Sequence, residues 1–108
     1  MKHKLKRLIW TIEDHIKDAG YDYRNAKKER DVEDIDMENF YIQSAKQRLE
    51  WANKGLDRYC NIIRDHESRE RQNGYNKDVI EEKTSAWRCV FEMLEERIKY
   101  LSKELSEA

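Results

Sequence analysis

The sequence contains no proline, only three glycines and two cysteines, and no long apolar run, and each shortage excludes a class of protein. Proline and glycine are enriched in disordered tails and costly inside helices, so their scarcity favours an ordered, helical chain. No segment approaches the roughly 18 consecutive apolar residues of a membrane span. The start, Met1 to Arg7, is basic and precedes no long apolar core, so the reading is of no secretory signal and a cytoplasmic location. Cys60 and Cys89 allow one disulfide at most, which a helical domain does not need, and a reducing compartment is expected. There is no phosphate-cradling glycine loop, no CxxC pair and no HExxH.

Large apolar side chains are scarce too. Val, Leu, Ile and Phe number 21 of 108, near the border below which chains fail to fold. The charge is nearly balanced, with 22 basic and 23 acidic residues and a net charge of -1, so self-repulsion is weak. That balance also gives no general attraction to nucleic acid or to an anionic membrane, and neither is expected as a partner.

What apolar content exists is patterned. Leu5, Ile9, Ile12, Ile16, Ala19, Tyr23 and Ala26 follow one another at alternating steps of four and three. Ile42, Ala45, Leu49, Ala52, Leu56, Tyr59 and Ile63 do the same, as do Ile80, Thr84, Trp87, Phe91, Leu94, Ile98, Leu101 and Leu105. Three such seams predict three helices, over about residues 3–30, 35–70 and 78–106, packed on one another. Asp34 or Asp36 is the expected N-cap of the second, and Asp78 with Glu81 resembles a capping box for the third. Asn73-Gly74 suits a turn needing positive φ. Short joints make neighbours antiparallel, so the fold class is an all-α, single-domain, up-down-up three-helix bundle with a long central helix. Gly20, inside the first helix, marks a kink, a close helix approach, or nothing in particular.

Converging chemistry is sparse. No serine or cysteine has a base at motif spacing, so the chain reads as non-enzymatic and without a cofactor. Cys60, next to Tyr59, is expected half-buried, and Cys89 on the outer face. His15 lies near Glu13, Asp14 and Asp18, a spacing that metal-binding bundles use, but it is also placed to face water. His66 falls at the seam position after Ile63 and is expected as a polar end to the core. Charge comes in blocks: Lys2, Lys4, Lys6 and Arg7 at the amino end, and six acids from Glu29 to Glu38 with Arg30 as the lone base. The acidic joint, with Glu33, Asp34 and Asp36, suits a basic partner or imitates phosphate; equally, it is a solvated turn.

The aromatic residues off the seams are more informative. The heptads turn Trp10, Tyr21, Phe40 and Trp51 away from the core. Trp10 and Tyr21 are eleven residues apart, as are Phe40 and Trp51, which puts each pair on one face about 16 Å apart. Tryptophan and tyrosine dominate binding hot spots, so these four are candidate partner-binding residues. Alternatively they wrap the flanks of a short bundle, or a second subunit covers them.

The segment from Ile12 to Ala19, the Phe40-Tyr41-x-x-Ser44 run and Leu49 to Asn53 together resemble small ferritin-like proteins of phages and mobile elements of Gram-positive bacteria. The likeness covers roughly the first 60 residues and lies in spacing more than identity. In that family these helices present carboxylate and histidine ligands. Here Gly20 stands in place of a glutamate, and Gln47 and Glu50, or Arg48 and Trp51, in place of the Glu-x-x-His pair. The resemblance therefore implies a bundle that has lost its metal site and serves as an interaction protein. By size and setting it implies an inhibitor of a host defence protein, such as a CRISPR effector, acting alone or as a homodimer. One alternative keeps a metal site on Glu13, His15 and Glu50. Another, from the likeness of Trp51-Ala52-Asn53 to helical phage sponges, is an oligomer that sequesters a small anionic nucleotide.

Overall fold

The computed structural model describes residues 2–107, and its three helices are α1 (Lys2–Asp31), α2 (Ile35–Gln72) and α3 (Lys77–Glu107). No strand occurs among the described residues. The chain is an all-α three-helix bundle with a long central helix, extending over 62 × 20 × 14 Å.

The seams form the core. Leu5, Ile12, Ile16 and Ala19 of α1 meet Ala45, Leu49, Ala52, Leu56, Tyr59 and Ile63 of α2, with Leu94, Ile98 and Leu105 of α3 closing over them. Cross-contacts fix the antiparallel register of α1 and α2: Ile12 lies against Gly55, His15 against Trp51, and Asp22 against Ser44 and Arg48. Alanines and one glycine line this contact, so the two backbones approach closely. A Cβ on Gly55 would stand 2.8 Å from Ile12 Cγ1, whereas one on Gly20 would meet nothing within 4 Å. The close-approach glycine is therefore Gly55, and Gly20 has no steric role.

Tyr59 carries α3. Its hydroxyl donates to the Trp87 carbonyl at 2.7 Å, and its ring stacks on Phe91 with centroids 6.4 Å apart. Burial pushes its phenol up to about 12. Helix α3 runs parallel to α1 but touches it little, chiefly where the Tyr23 hydroxyl donates to Glu104 at 3.0 Å. The three helices are thus less evenly packed than three equal seams imply: α2 serves both neighbours, and the α1/α3 side stays open.

Two corrections concern the ends of helices. Helix α3 is capped by Asn76, whose Oδ1 accepts from the amides of Asp78 and Val79, and not by an Asp78–Glu81 box. At the far end of α2 the buried position after Ile63 is Glu67, not His66. The seam takes two successive steps of four there because Arg88 reaches over from α3 to pair with Glu67. His66 is half-buried, its ring edge-on to Trp87 and its Nε2 3.5 Å from Glu70.

Both joints use the same device. A left-handed residue ends each helix, Glu33 at φ 62° and Gly74 at φ 88°. The amides around it turn back: Asp34 to Glu29 and Glu33 to Arg30 in the first, Tyr75 to Glu70 and Gly74 to Arg71 in the second. Asp34 then caps α2 by accepting from the Met37 amide at 3.1 Å. A left-handed conformation costs a residue with a Cβ about 1–2 kcal/mol, and glycine almost none. Glu33→Gly should therefore stabilise the fold by about 1 kcal/mol, and Gly74→Ala should destabilise it by a similar amount. Thermal melts should show shifts of about 4 °C in opposite directions. A lower melting temperature for Glu33→Gly would refute the strain argument.

Candidate interaction surfaces

The four off-seam aromatics are exposed: Trp10 by 63%, Tyr21 by 60%, Phe40 by 62% and Trp51 by 45%. They do not form one patch. Trp10 and Tyr21 lie on α1 alone. Trp51 closes over the α1/α2 contact, where its ring meets His15 at 5.5 Å, and this packing half-buries a histidine expected to face water. Phe40 packs edge-on against Tyr41 at 5.5 Å, close to the first joint.

That joint is the densest exposed apolar surface of the described chain. Val32 is 71% exposed and Ile35 68%, with Met37 and Phe40 following within five residues. The carboxylates of Asp31, Glu33, Asp34 and Asp36 alternate with them, all on exposed residues. Only Asp34 has a structural duty, the cap on α2. Across the joint Arg30 Nε donates to Glu38 Oε1 at 2.8 Å, which neutralises the one base and holds the two helix ends together. The tip is therefore apolar and anionic at once. Sequence reasoning finds its acids and Phe40 but not its aliphatics, although the signal is there, since Val32, Ile35 and Met37 belong to no seam.

Behind the tip a polar clamp sets the register of the elements that carry it. Asp22 is buried on α1, accepts from Ser44 Oγ at 2.7 Å and from Arg48 Nε at 3.0 Å, and Arg48 also reaches Asp18 at 3.3 Å. A buried carboxylate needs these partners, because removing them leaves an uncompensated charge at a cost of about 3–5 kcal/mol.

Three further features complete the surface. A 780 Å³ groove on the open α1/α3 side is lined by Glu13, Lys17, Gly20 and Arg24 on one bank and Met93, Arg97 and Tyr100 on the other. A 440 Å³ groove near the start of α1 gathers Lys4, Arg7 and Arg58 around Leu8 and Ile62. Cys60 is half-buried and Cys89 exposed, both as free thiols.

The residues of the alternative metal site are not brought together. Glu13 opens onto the α1/α3 groove, His15 lies on Trp51 on the other flank of α1, and Glu50 pairs with Lys54 on α2. Among the described residues no group of three or more His, Cys, Asp or Glu side chains is placed to hold an ion. Nor is any helix among the described residues long and apolar enough to cross a membrane. Compared with protein-family models, with curated proteins and with solved structures, the chain finds no match in any of the three.

Proposed function

We propose that this chain is a non-enzymatic binding protein that docks on a protein partner through the α1–α2 joint. The observation that carries this reading is the tip itself: Val32, Ile35, Met37 and Phe40, four exposed apolar residues within nine positions of the joint, with Glu33, Asp34 and Asp36 between them. Apolar side chains displayed in a run are costly to solubility, and a patch rimmed by charge is how protein-binding surfaces are built. The partner surface must then offer apolar pockets set among lysine or arginine. The acids would speed encounter, and the apolar residues would hold the complex. Trp51, resting on His15 of α1, continues the Phe40 face of α2, while Trp10 and Tyr21 give α1 a separate contact edge. The resemblance to phage-borne bundles makes a bacterial defence protein, a CRISPR effector among them, the first partner class to try.

Affinity capture from a bacterial lysate, read by mass spectrometry, should yield a partner, and binding should then be measured on purified components. Ile35→Ser with Phe40→Ala is expected to weaken binding about 30-fold or more, since buried anchors of this kind contribute about 2 kcal/mol or more. Trp10→Ala and Trp51→Ala should weaken it less. Raising the salt should slow association, because the acidic rim is screened. Circular dichroism should show the helices intact. Unchanged affinity in the Ile35/Phe40 variant would sink the reading.

A further inference from the structure

The 440 Å³ groove near the start of α1 carries charge of one sign. Lys4 and Arg7 of α1 and Arg58 of α2 stand around the half-buried Leu8 and Ile62, and no carboxylate among the described residues lines it. The larger α1/α3 groove, by contrast, mixes three bases with three acids. None of Lys4, Arg7 and Arg58 joins an ion pair within the described residues. Cations gathered without a counter-charge repel one another, so an anionic group seated among them is favoured. Leu8 and Ile62 give the same place an apolar floor. The occupant that matches is therefore anionic and aliphatic together.

The α1–α2 joint has that composition. Asp31, Glu33 and Asp36 join no ion pair within the described residues, and Val32 and Ile35 are exposed between them. The joint calls for a surface that sets apolar seats among lysine or arginine, and the groove is one, carried by the same chain. Within one molecule the two cannot meet. Helix α1 runs unbroken from Arg7 to Asp31, which separates them by about 36 Å. We propose that the joint of one copy docks in the basic groove of a second copy, head to tail, with its carboxylates among Lys4, Arg7 and Arg58 and its aliphatics on Leu8 and Ile62. The proposal rests on the reading of the joint as an apolar, anionic docking surface and adds an occupant for it. Pairing of like surfaces is disfavoured, because joint on joint sets acid on acid and groove on groove sets base on base. Since two different surfaces meet, each pair leaves one groove and one joint free, and association continues into an open chain or closes as a ring. Self-association covers the joint, so an outside partner has to compete for it.

Sedimentation of the full chain from about 10 to 500 µM in about 50 mM salt should show an average mass that rises past the dimer, and about 500 mM salt should reverse it by screening. Two variants separate the halves of the contact. Arg7→Glu with Arg58→Glu spoils the groove, and Val32→Ser with Ile35→Ser spoils the joint. Each should weaken self-association about tenfold or more, with helices intact by circular dichroism, since all four residues lie outside the core. Mixed together, the two variants should form a 1:1 pair and nothing larger, because the mixture holds one intact joint and one intact groove on different chains. The two spoiled surfaces are both acidic and do not combine. A wild-type chain that stays monomeric at about 500 µM in low salt would overturn the proposal. So would association indifferent to either variant, or two variants that fail to pair when mixed. Capture of an outside partner is measured with the groove variant, whose joint is unchanged. Failure there removes the outside partner and leaves self-association standing, whereas a monomeric wild-type chain removes self-association and leaves capture standing.

Discussion

Replacing Tyr59 with alanine is expected to remove about 3–5 kcal/mol of stability, the range for deleting a large buried aromatic side chain. The residue is fully buried, and it is the largest side chain so enclosed. Its place explains the size of the effect. Helix α3 has little contact with α1, and Tyr59 supplies both a stacked ring for Phe91 and a hydrogen bond to the Trp87 carbonyl. Since a domain of this size is stable by only about 5–15 kcal/mol, the variant should melt about 15 °C lower or more. Tyr59→Phe keeps the ring and loses only the hydroxyl contact, which should cost about 1 kcal/mol. The two variants separate packing from hydrogen bonding, and equal losses in both would show that the ring is not what holds α3.

The same residue gives the fold an alkaline limit. The Tyr59 phenol is pushed up to about 12 from 10.0 by burial, because the phenolate would lose its water inside the core. A raised folded-state pKa means that the unfolded chain gives up the proton first. The contribution is whole below pH 10 and fades as pH rises toward 12, a loss of about 2–3 kcal/mol in all. Denaturation of the native protein followed through that window should show this decline, and Tyr59→Phe should lack it. Identical pH profiles for the two proteins would contradict the burial argument.

How far the sequence leads depends on which physical signal each residue obeys. Every seam residue from Leu5 to Leu105 is buried or half-buried, because periodicity reports directly on which face meets another helix. A carboxylate cap on α2 is legible for a similar reason, as Asp34 or Asp36, since a short carboxylate just ahead of an apolar repeat has few other uses, and the structure uses Asp34. Glu67 is not, since its burial depends on Arg88, twenty-one residues away on another helix, and a seam read along one helix has no access to that pairing. Asn76 displaces the Asp78–Glu81 box because the turn runs on past Gly74, and turn length is a tertiary property. Of the candidate binding residues, Trp10, Tyr21, Phe40 and Trp51 are exposed as the heptads require, yet the structure distributes them over separate flanks. The aliphatics at the joint escape because a search for one seam per helix stops at the first apolar face it finds.

Gly55→Leu is expected to destabilise the protein by about 2–3 kcal/mol, although helix propensity alone makes the change favourable by about 1 kcal/mol. The two effects oppose each other, and distance decides between them. Even a methyl group at this position would lie 2.8 Å from Ile12 Cγ1 and 3.4 Å from Ile12 Cδ1, closer than packed carbon atoms sit. A leucine adds three more carbons along that line, so α1 must move away from α2 or Ile12 must leave its place. Neither is easy, because Ile12 is fully buried and the clamp of Asp22 with Ser44 and Arg48 ties α1 to α2 about three turns further along. Ile12→Ala by itself opens a cavity in the same spot and should cost about 2–5 kcal/mol. Combined, the two substitutions exchange the large residue from one helix to the other, and the introduced leucine fills the space that Ile12 vacates. The double variant should therefore be more stable than the sum of the single losses by about 1–3 kcal/mol, the range for residues in direct contact. Urea denaturation of the four proteins measures that coupling. Strict additivity would mean that the helices do not meet at Ile12 and Gly55, and with it the antiparallel register of α1 on α2 would have to be redrawn.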